Sequence, residues 1–221
     1  MTPLLPAGGL CVSSRRVWLR RAQTVVLALL CGAALTACKD AVSVREGGSP
    51  AFHGVDITGA EYARTLSLTD QYGQPRTLAD FKGKVTLVFF GFTQCPDVCP
   101  ATMAELAQIK TKLGADGNRV QGVFVTLDPE RDTPEMLKAY MAGFDPSFVA
   151  LRGTPEQTAV AAKEFKVFYA KVPGKSPGTY SLDHTAGSYV FDANGKVRLF
   201  VRYGSGSEAL TADLKALLAG G

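Results

Sequence analysis

Cys95 and Cys99 are separated by three residues in the stretch Gly91-Phe92-Thr93-Gln94-Cys95-Pro96-Asp97-Val98-Cys99-Pro100. Such a pair can hold a soft metal ion, cycle as a redox couple or form a disulfide, and the spacing by itself leaves all three open. Two intervening residues would suggest a redox motif; three widen the bite available to a metal. The prolines constrain the geometry. One helix running through both cysteines would make Pro100 an interior residue, at a cost of about 3 kcal/mol. A helix beginning at Pro100 avoids this, because the first helical position has no use for an N–H. Cys99 is then expected at the cap, with Cys95 to Val98 in the turn before it. Both sulfurs would lie near the positive end of the helix dipole, where a thiol pKa is lowered and the thiolate, which binds metals and attacks disulfides, is favoured.

The elements that must position these thiols can be read on either side. Val85 to Phe92 is a continuous apolar run of the kind buried on both faces of a sheet. Pro100 to Leu113 carries Met103, Leu106, Ile109 and Leu113 along one helical stripe. Val120 to Leu127 repeats the strand pattern, and Leu137, Tyr140, Met141 and Phe144 mark a helix whose start is signalled by Asp132-Thr133-Pro134-Glu135. Phe148 to Leu151 is a short third strand, and Thr154-Pro155-Glu156-Gln157 opens a helix expected to reach about Phe168. Lys171 to Asp183, with Pro173, Gly174, Pro177 and Gly178, reads as a loop ending at His184. Strands at Ser188 to Asp192 and Lys196 to Tyr203 flank Asn194-Gly195, a strong hairpin signal, and Leu210, Leu214, Leu217 and Leu218 share one face of a closing helix. Upstream, Thr65 to Leu68 and Arg76 to Leu78 form an N-terminal β-hairpin. The fold class is therefore α/β: a mixed central sheet with helices on both faces, in an order that resembles the thioredoxin fold.

That topology brings the loop before the last hairpin beside the thiol turn. Of the two histidines, His53 reads as a solvent-exposed residue, whereas His184 ends that loop and is expected to close a site with Cys95 and Cys99. Two thiolates and one imidazole form a soft set of three. They suit Cu(I), extend to Cu(II), and lack the fourth ligand that a structural zinc site demands. About one copper per chain is expected, with Cys95 and Cys99 joined as a disulfide in the oxidised, metal-free form. Met103 and Met141 fall on apolar helical stripes and read as core.

The first residues are of another kind. Arg15, Arg16, Arg20 and Arg21 precede an apolar run from Ala22 to Leu35, followed by Leu35-Thr36-Ala37-Cys38. This resembles a bacterial lipoprotein signal, with Cys38 lipidated; the run, about 14 residues, is short of the roughly 20 that a spanning helix needs. Ser14 to Arg20 also resembles a twin-arginine motif, and either that route or general secretion leads out of the cytoplasm. The expected divisions are a signal over 1–37, a lipidated N-terminus and flexible tether over 38–60, and a folded domain over 61–221. Four of the 24 basic side chains lie in the signal, leaving 20 against 20 acidic ones, so no basic face argues for nucleic acid. Cys11 and Cys31 also lie in the signal, which leaves only Cys95 and Cys99 as thiols once Cys38 carries lipid.

Thr93-Gln94-Cys95-Pro96-Asp97-Val98-Cys99-Pro100, Asp128-Pro129-Glu130-Arg131-Asp132-Thr133-Pro134, and Asp183-His184 with Tyr189 downstream together resemble the Sco (SenC) proteins, from about Leu66 to the C-terminus. The resemblance implies that Cys95, Cys99 and His184 are copper ligands. It further implies a membrane-tethered metallochaperone that assists the binuclear copper centre of cytochrome c oxidase, by delivering copper, by reducing the acceptor cysteines, or both. Implied partners are the copper-accepting oxidase subunit, other periplasmic copper chaperones and thiol reductants. The alternative is an extracytoplasmic thiol–disulfide oxidoreductase or peroxidase-like enzyme without a metal, in which Cys95 and Cys99 are the catalytic pair. Peroxidases of this fold usually place a threonine three residues before the reactive cysteine, whereas Thr93 is two before Cys95. Asp97, Asp128, Arg131, Asp132 and Asp183 are the candidates for supporting the ligands. For Asp128 to Pro134 the plainer reading is preferred, a loop with an Arg–Asp pair and a helix cap. Lys39 in place of an aspartate favours the outer membrane for the anchor, and the implied acceptor favours the inner one.

Overall fold

Strand β4 (Val85–Gly91) is buried at every position, and a strand with no solvated face needs a neighbour on each edge and cover on each side. In the computed structural model, which describes residues 52–220, it has both. On one edge β5 (Val120–Thr126) runs parallel to it, in register from Val85 opposite Val120 to Gly91 opposite Thr126. On the other edge β9 (Gly187–Phe191) runs antiparallel. Helix α1 (Val98–Lys112) connects β4 to β5 and α2 (Pro134–Ala142) connects β5 to β6 (Val149–Arg152), giving two parallel crossovers. Beyond β6 lie β2 (Ser67–Asp70) and β3 (Pro75–Thr77), the expected N-terminal hairpin; beyond β9 lie β10 (Val197–Arg202) and β1 (Val55–Asp56). The eight strands run β1-β10-β9-β4-β5-β6-β2-β3. Gly195, at φ 76°, supplies the left-handed residue of the β9–β10 turn at no steric cost.

The period of two along β4 divides the core into two layers. Phe90 points to one face, where its ring lies 5.0 Å from Phe165, just past the end of α3 (Pro155–Glu164). Phe89 points to the other, toward Phe124 at 6.3 Å, and Phe124 in turn meets Tyr140 of α2 at 5.5 Å. Helices therefore cover both faces, and α4 (Ser207–Ala219) packs beside α1. Met103 and Met141 are buried in this core.

Three expectations change. Residues 52–60 are not all tether: Val55 and Asp56 pair with Phe200 and Leu199, and Phe52, Ile57 and Ala60 pack against the core. The buried carboxylate of Asp213 holds this segment by accepting the N–H groups of His53 and Gly54, each at 2.8 Å. The expected loop from Lys171 to Asp183 is a separate antiparallel hairpin, β7 (Tyr169–Pro173) and β8 (Tyr180–His184), with Pro173 ending β7 and Gly174, Pro177 and Gly178 in its tip. Helix α3 ends at Glu164 instead of running to Phe168, because Lys166 takes a left-handed φ of 53°. The signal over 1–37, the lipidation site Cys38 and the first part of the tether lie outside the described residues. No helix among the described residues is long and apolar enough to cross a membrane.

Candidate metal centre

The thiol turn begins where β4 stops. Phe92 is buried, and its carbonyl accepts the Cys95 N–H at 3.2 Å, which folds the chain back toward the helix. Helix α1 starts at Val98, two residues earlier than expected, so Cys99 is its second residue and Pro100 its third. The reason is the same orphan-donor argument carried further: none of the first-turn N–H groups has an intrahelical partner, and the carbonyl that Pro100 would clash with belongs to Pro96, outside the helix. Of the donors left there, the Cys99 N–H points to Cys95 Sγ at 3.4 Å. Cys95 is half-buried and Cys99 fully buried, and both are free thiols. Gly91 leaves the room: a Cβ there would lie 2.8 Å from Cys99 Sγ and 2.9 Å from Phe89.

His184 is the last residue of β8. Alternation along that strand turns Tyr180, Leu182 and His184 inward and Ser181 and Asp183 outward, and Leu182 is buried accordingly. The Nε2 atom of His184 lies 3.5 Å from Cys99 Sγ across 85 positions of chain. Its Nδ1 lies 3.0 Å from the carbonyl of Thr185, which can only accept, so Nδ1 carries the hydrogen and Nε2 keeps its lone pair for a ligand. The rings of Phe89 and Phe92 stand edge-on to the imidazole at 5.9 and 6.0 Å. One donor atom from each of Cys95, Cys99 and His184 lies within 4.8 Å of the others.

Burial dominates the electrostatics. It depresses the imidazolium pKa of His184, keeping the ring neutral and able to coordinate. It also pushes the Cys99 thiol well above its ordinary range, the opposite of the shift expected from the helix N-terminus. Desolvation of a fully buried sulfur outweighs the dipole here, and the neighbouring Cys95 adds to it. A thiol in this position ionises when a cation takes the place of its proton.

The supporting candidates divide. Asp97 precedes α1 as its cap residue but its exposed side chain caps nothing, and Asp183 faces outward. Asp132 is buried and accepts from the Thr93 N–H, the Thr93 hydroxyl and the Thr126 hydroxyl, at 3.1, 2.5 and 2.5 Å. Thr133, not Asp132, caps α2 through its bond to the Met136 N–H at 3.3 Å. Asp128 pairs with Arg131 and accepts the Tyr180 hydroxyl at 2.7 Å. The segment is thus more than a loop with a cap, since it joins the thiol turn to the histidine hairpin. Tyr180 had no signal in the sequence: it sits in a stretch whose prolines and glycines read as loop. Tyr189 belongs to the core, its hydroxyl bonded to the Phe165 carbonyl, and His53 is exposed.

A thioredoxin-like α/β fold with a dithiol at the start of its first crossover helix and an imidazole arriving from a later hairpin defines a class: a metal-binding or thiol-redox domain with a Cys-Cys-His site. Residues 56–219 match the family described as SCO1/SenC, and the chain belongs to that family. It is similar to the solved structure of ScoI from Bradyrhizobium japonicum with copper bound, at 40% identity and a TM-score of 0.62, over 68% of this chain and 96% of that one. It is likewise similar to apo Sco1 from Thermus thermophilus, at 40% identity and a TM-score of 0.67, over 75% of this chain and 96% of that one. Yeast Sco1 with copper bound aligns at 32% identity and a TM-score of 0.59, over 67% of this chain and 84% of that one. A SCO2-like protein of Rickettsia felis is 41% identical over 132 residues, 59% of this chain and 64% of that protein, so the match spans somewhat under two thirds of that relative's length.

Proposed function

We propose that this chain binds about one copper ion through Cys95, Cys99 and His184 and assists assembly of the binuclear copper site of cytochrome c oxidase. The observation that carries the reading is the convergence of two sulfurs and one neutral imidazole nitrogen within 4.8 Å. The copper-bound relatives from Bradyrhizobium japonicum and yeast support the choice of metal. Copper entering the site displaces the thiol protons, and the partly exposed Cys95 is the side from which another ligand can take the ion over. The same pair has a second use: with the ion gone, Cys95 and Cys99 can give two electrons and two protons to an acceptor disulfide and become joined by one themselves. In this reading a lipid on Cys38 holds the domain to a bacterial membrane on its extracytoplasmic side, within reach of the copper-accepting oxidase subunit and of periplasmic chaperones or reductants.

A metal-free oxidoreductase is served less well by this site. Such an enzyme needs only the thiol pair and gives no part to the lone pair of His184 Nε2 that faces Cys99 Sγ at 3.5 Å. Copper titration of the reduced full chain in detergent separates the two. A copper site predicts about one ion retained per chain and a sulfur-to-Cu(II) absorption band that is lost in His184→Ala. No copper retention, together with disulfide-reductase turnover indifferent to His184, supports the oxidoreductase instead.

A further inference from the structure

The site is assembled from two pieces that share no regular secondary structure. Cys95 and Cys99 belong to the turn between β4 and α1, anchored in the large sheet, whereas His184 ends a two-stranded hairpin outside that sheet. A lone hairpin is marginally stable in water, so what fixes it to the body sets how well His184 meets the sulfurs. One tie, Lys171 to Glu130, is exposed on both sides and contributes little. The shielded polar tie is made by Arg131. Its guanidinium lies 3.6 Å from the centre of the Tyr180 ring, Nη1 donates to the Tyr180 carbonyl at 2.8 Å and to Gln94 Oε1 at 3.1 Å, and Nε donates to Asp128. Asp128 also accepts from the Tyr180 hydroxyl. Gln94 immediately precedes Cys95, and Tyr180 shares the inward face of β8 with His184.

We infer that Arg131 is a positioning residue for the copper site, a clamp that ties the thiol turn at Gln94 to the His184 strand at Tyr180. The inference rests on the copper reading above. It requires an arginine: one planar group stacks on a ring while donating from two of its nitrogens in fixed directions, and a lysine, with a single nitrogen, can do neither together.

The test uses the full chain in detergent, with copper affinity measured by competition against a chelator and the Cu(II) absorption band recorded. Arg131→Lys is expected to bind copper about 10 to 100-fold more weakly, with a shifted band. Gln94→Ala, which removes only the tie to the turn at an exposed position, is expected to move both readouts the same way by about tenfold or less, and it stands in if Arg131→Lys does not fold. In a His184→Ala background, Arg131→Lys should weaken copper no further, because the clamp acts through that ligand. Parent affinity and spectrum in folded Arg131→Lys, or an equal loss with and without His184, would overturn the clamp while leaving the copper site standing. A parent chain that retains no copper would overturn both.

Discussion

The backbone N–H and the hydroxyl of Thr93 both end on the carboxylate of Asp132, at 3.1 and 2.5 Å. The residue two before Cys95 is thereby fixed to the loop between β5 and α2, and the Thr126 hydroxyl closes the cluster from the end of β5. Asp132→Ala strands these donors in a site with no solvent exposure, so a loss of about 2–4 kcal/mol is expected in denaturant unfolding of the metal-free chain. Asp132→Asn keeps the shape and an acceptor, and burial already disfavours the charge, so its loss should be about half as large or less. Equal losses for the two substitutions would show that one amide acceptor cannot replace the two carboxylate oxygens that hold the turn.

Gly91 tests packing against the sulfur. Its conformation is open to any residue, but a Cβ would stand 2.8 Å from Cys99 Sγ, 2.9 Å from Phe89 and 3.0 Å from Phe124. Two of these neighbours are buried rings with nowhere to go, so the thiol must shift. Gly91→Ala is expected to destabilise the chain by about 1–3 kcal/mol and to weaken copper binding, as read by urea titration and chelator competition. Unchanged copper affinity would mean that Cys99 Sγ is free to move without loss to the site.

The pH dependence of stability follows from His184. Burial holds its pKa below the ordinary 6.5. As pH falls through that value the unfolded chain takes up a proton that the folded chain refuses, so stability present above this range is lost below it. Urea unfolding of the metal-free chain at about pH 7.5 and about pH 5.5 should therefore show a larger loss for the parent than for His184→Ala. An equal loss in both chains would remove the buried neutral imidazole from the account.

Much of this was legible in the chain. The run from Val85 to Phe92, the stripe of Met103, Leu106 and Ile109, and Asn194-Gly195 all fix local structure by short-range rules, and their elements stand where those rules put them. His184 could be assigned to the site because it is one of two histidines and the topology delivers its segment to the thiol turn. What was not legible depends on tertiary contact. The helix start moved to Val98 because an orphan-donor position suits proline as well at the third place as at the first. The Cys99 thiol stands high in pKa because it is fully buried where the turn folds back onto the sheet, a depth that no local sequence rule gives. Tyr180 carries no local signal because a hairpin with a long proline- and glycine-bearing tip has the composition of a loop.

Copper-edge X-ray absorption of the copper-loaded full chain addresses the ligand set itself. Coordination by Cys95, Cys99 and His184 predicts two sulfur scatterers and one imidazole around the copper, the imidazole signature vanishing in His184→Ala while the sulfur scattering persists. A shell without sulfur, or one whose imidazole contribution survives in His184→Ala, would contradict it.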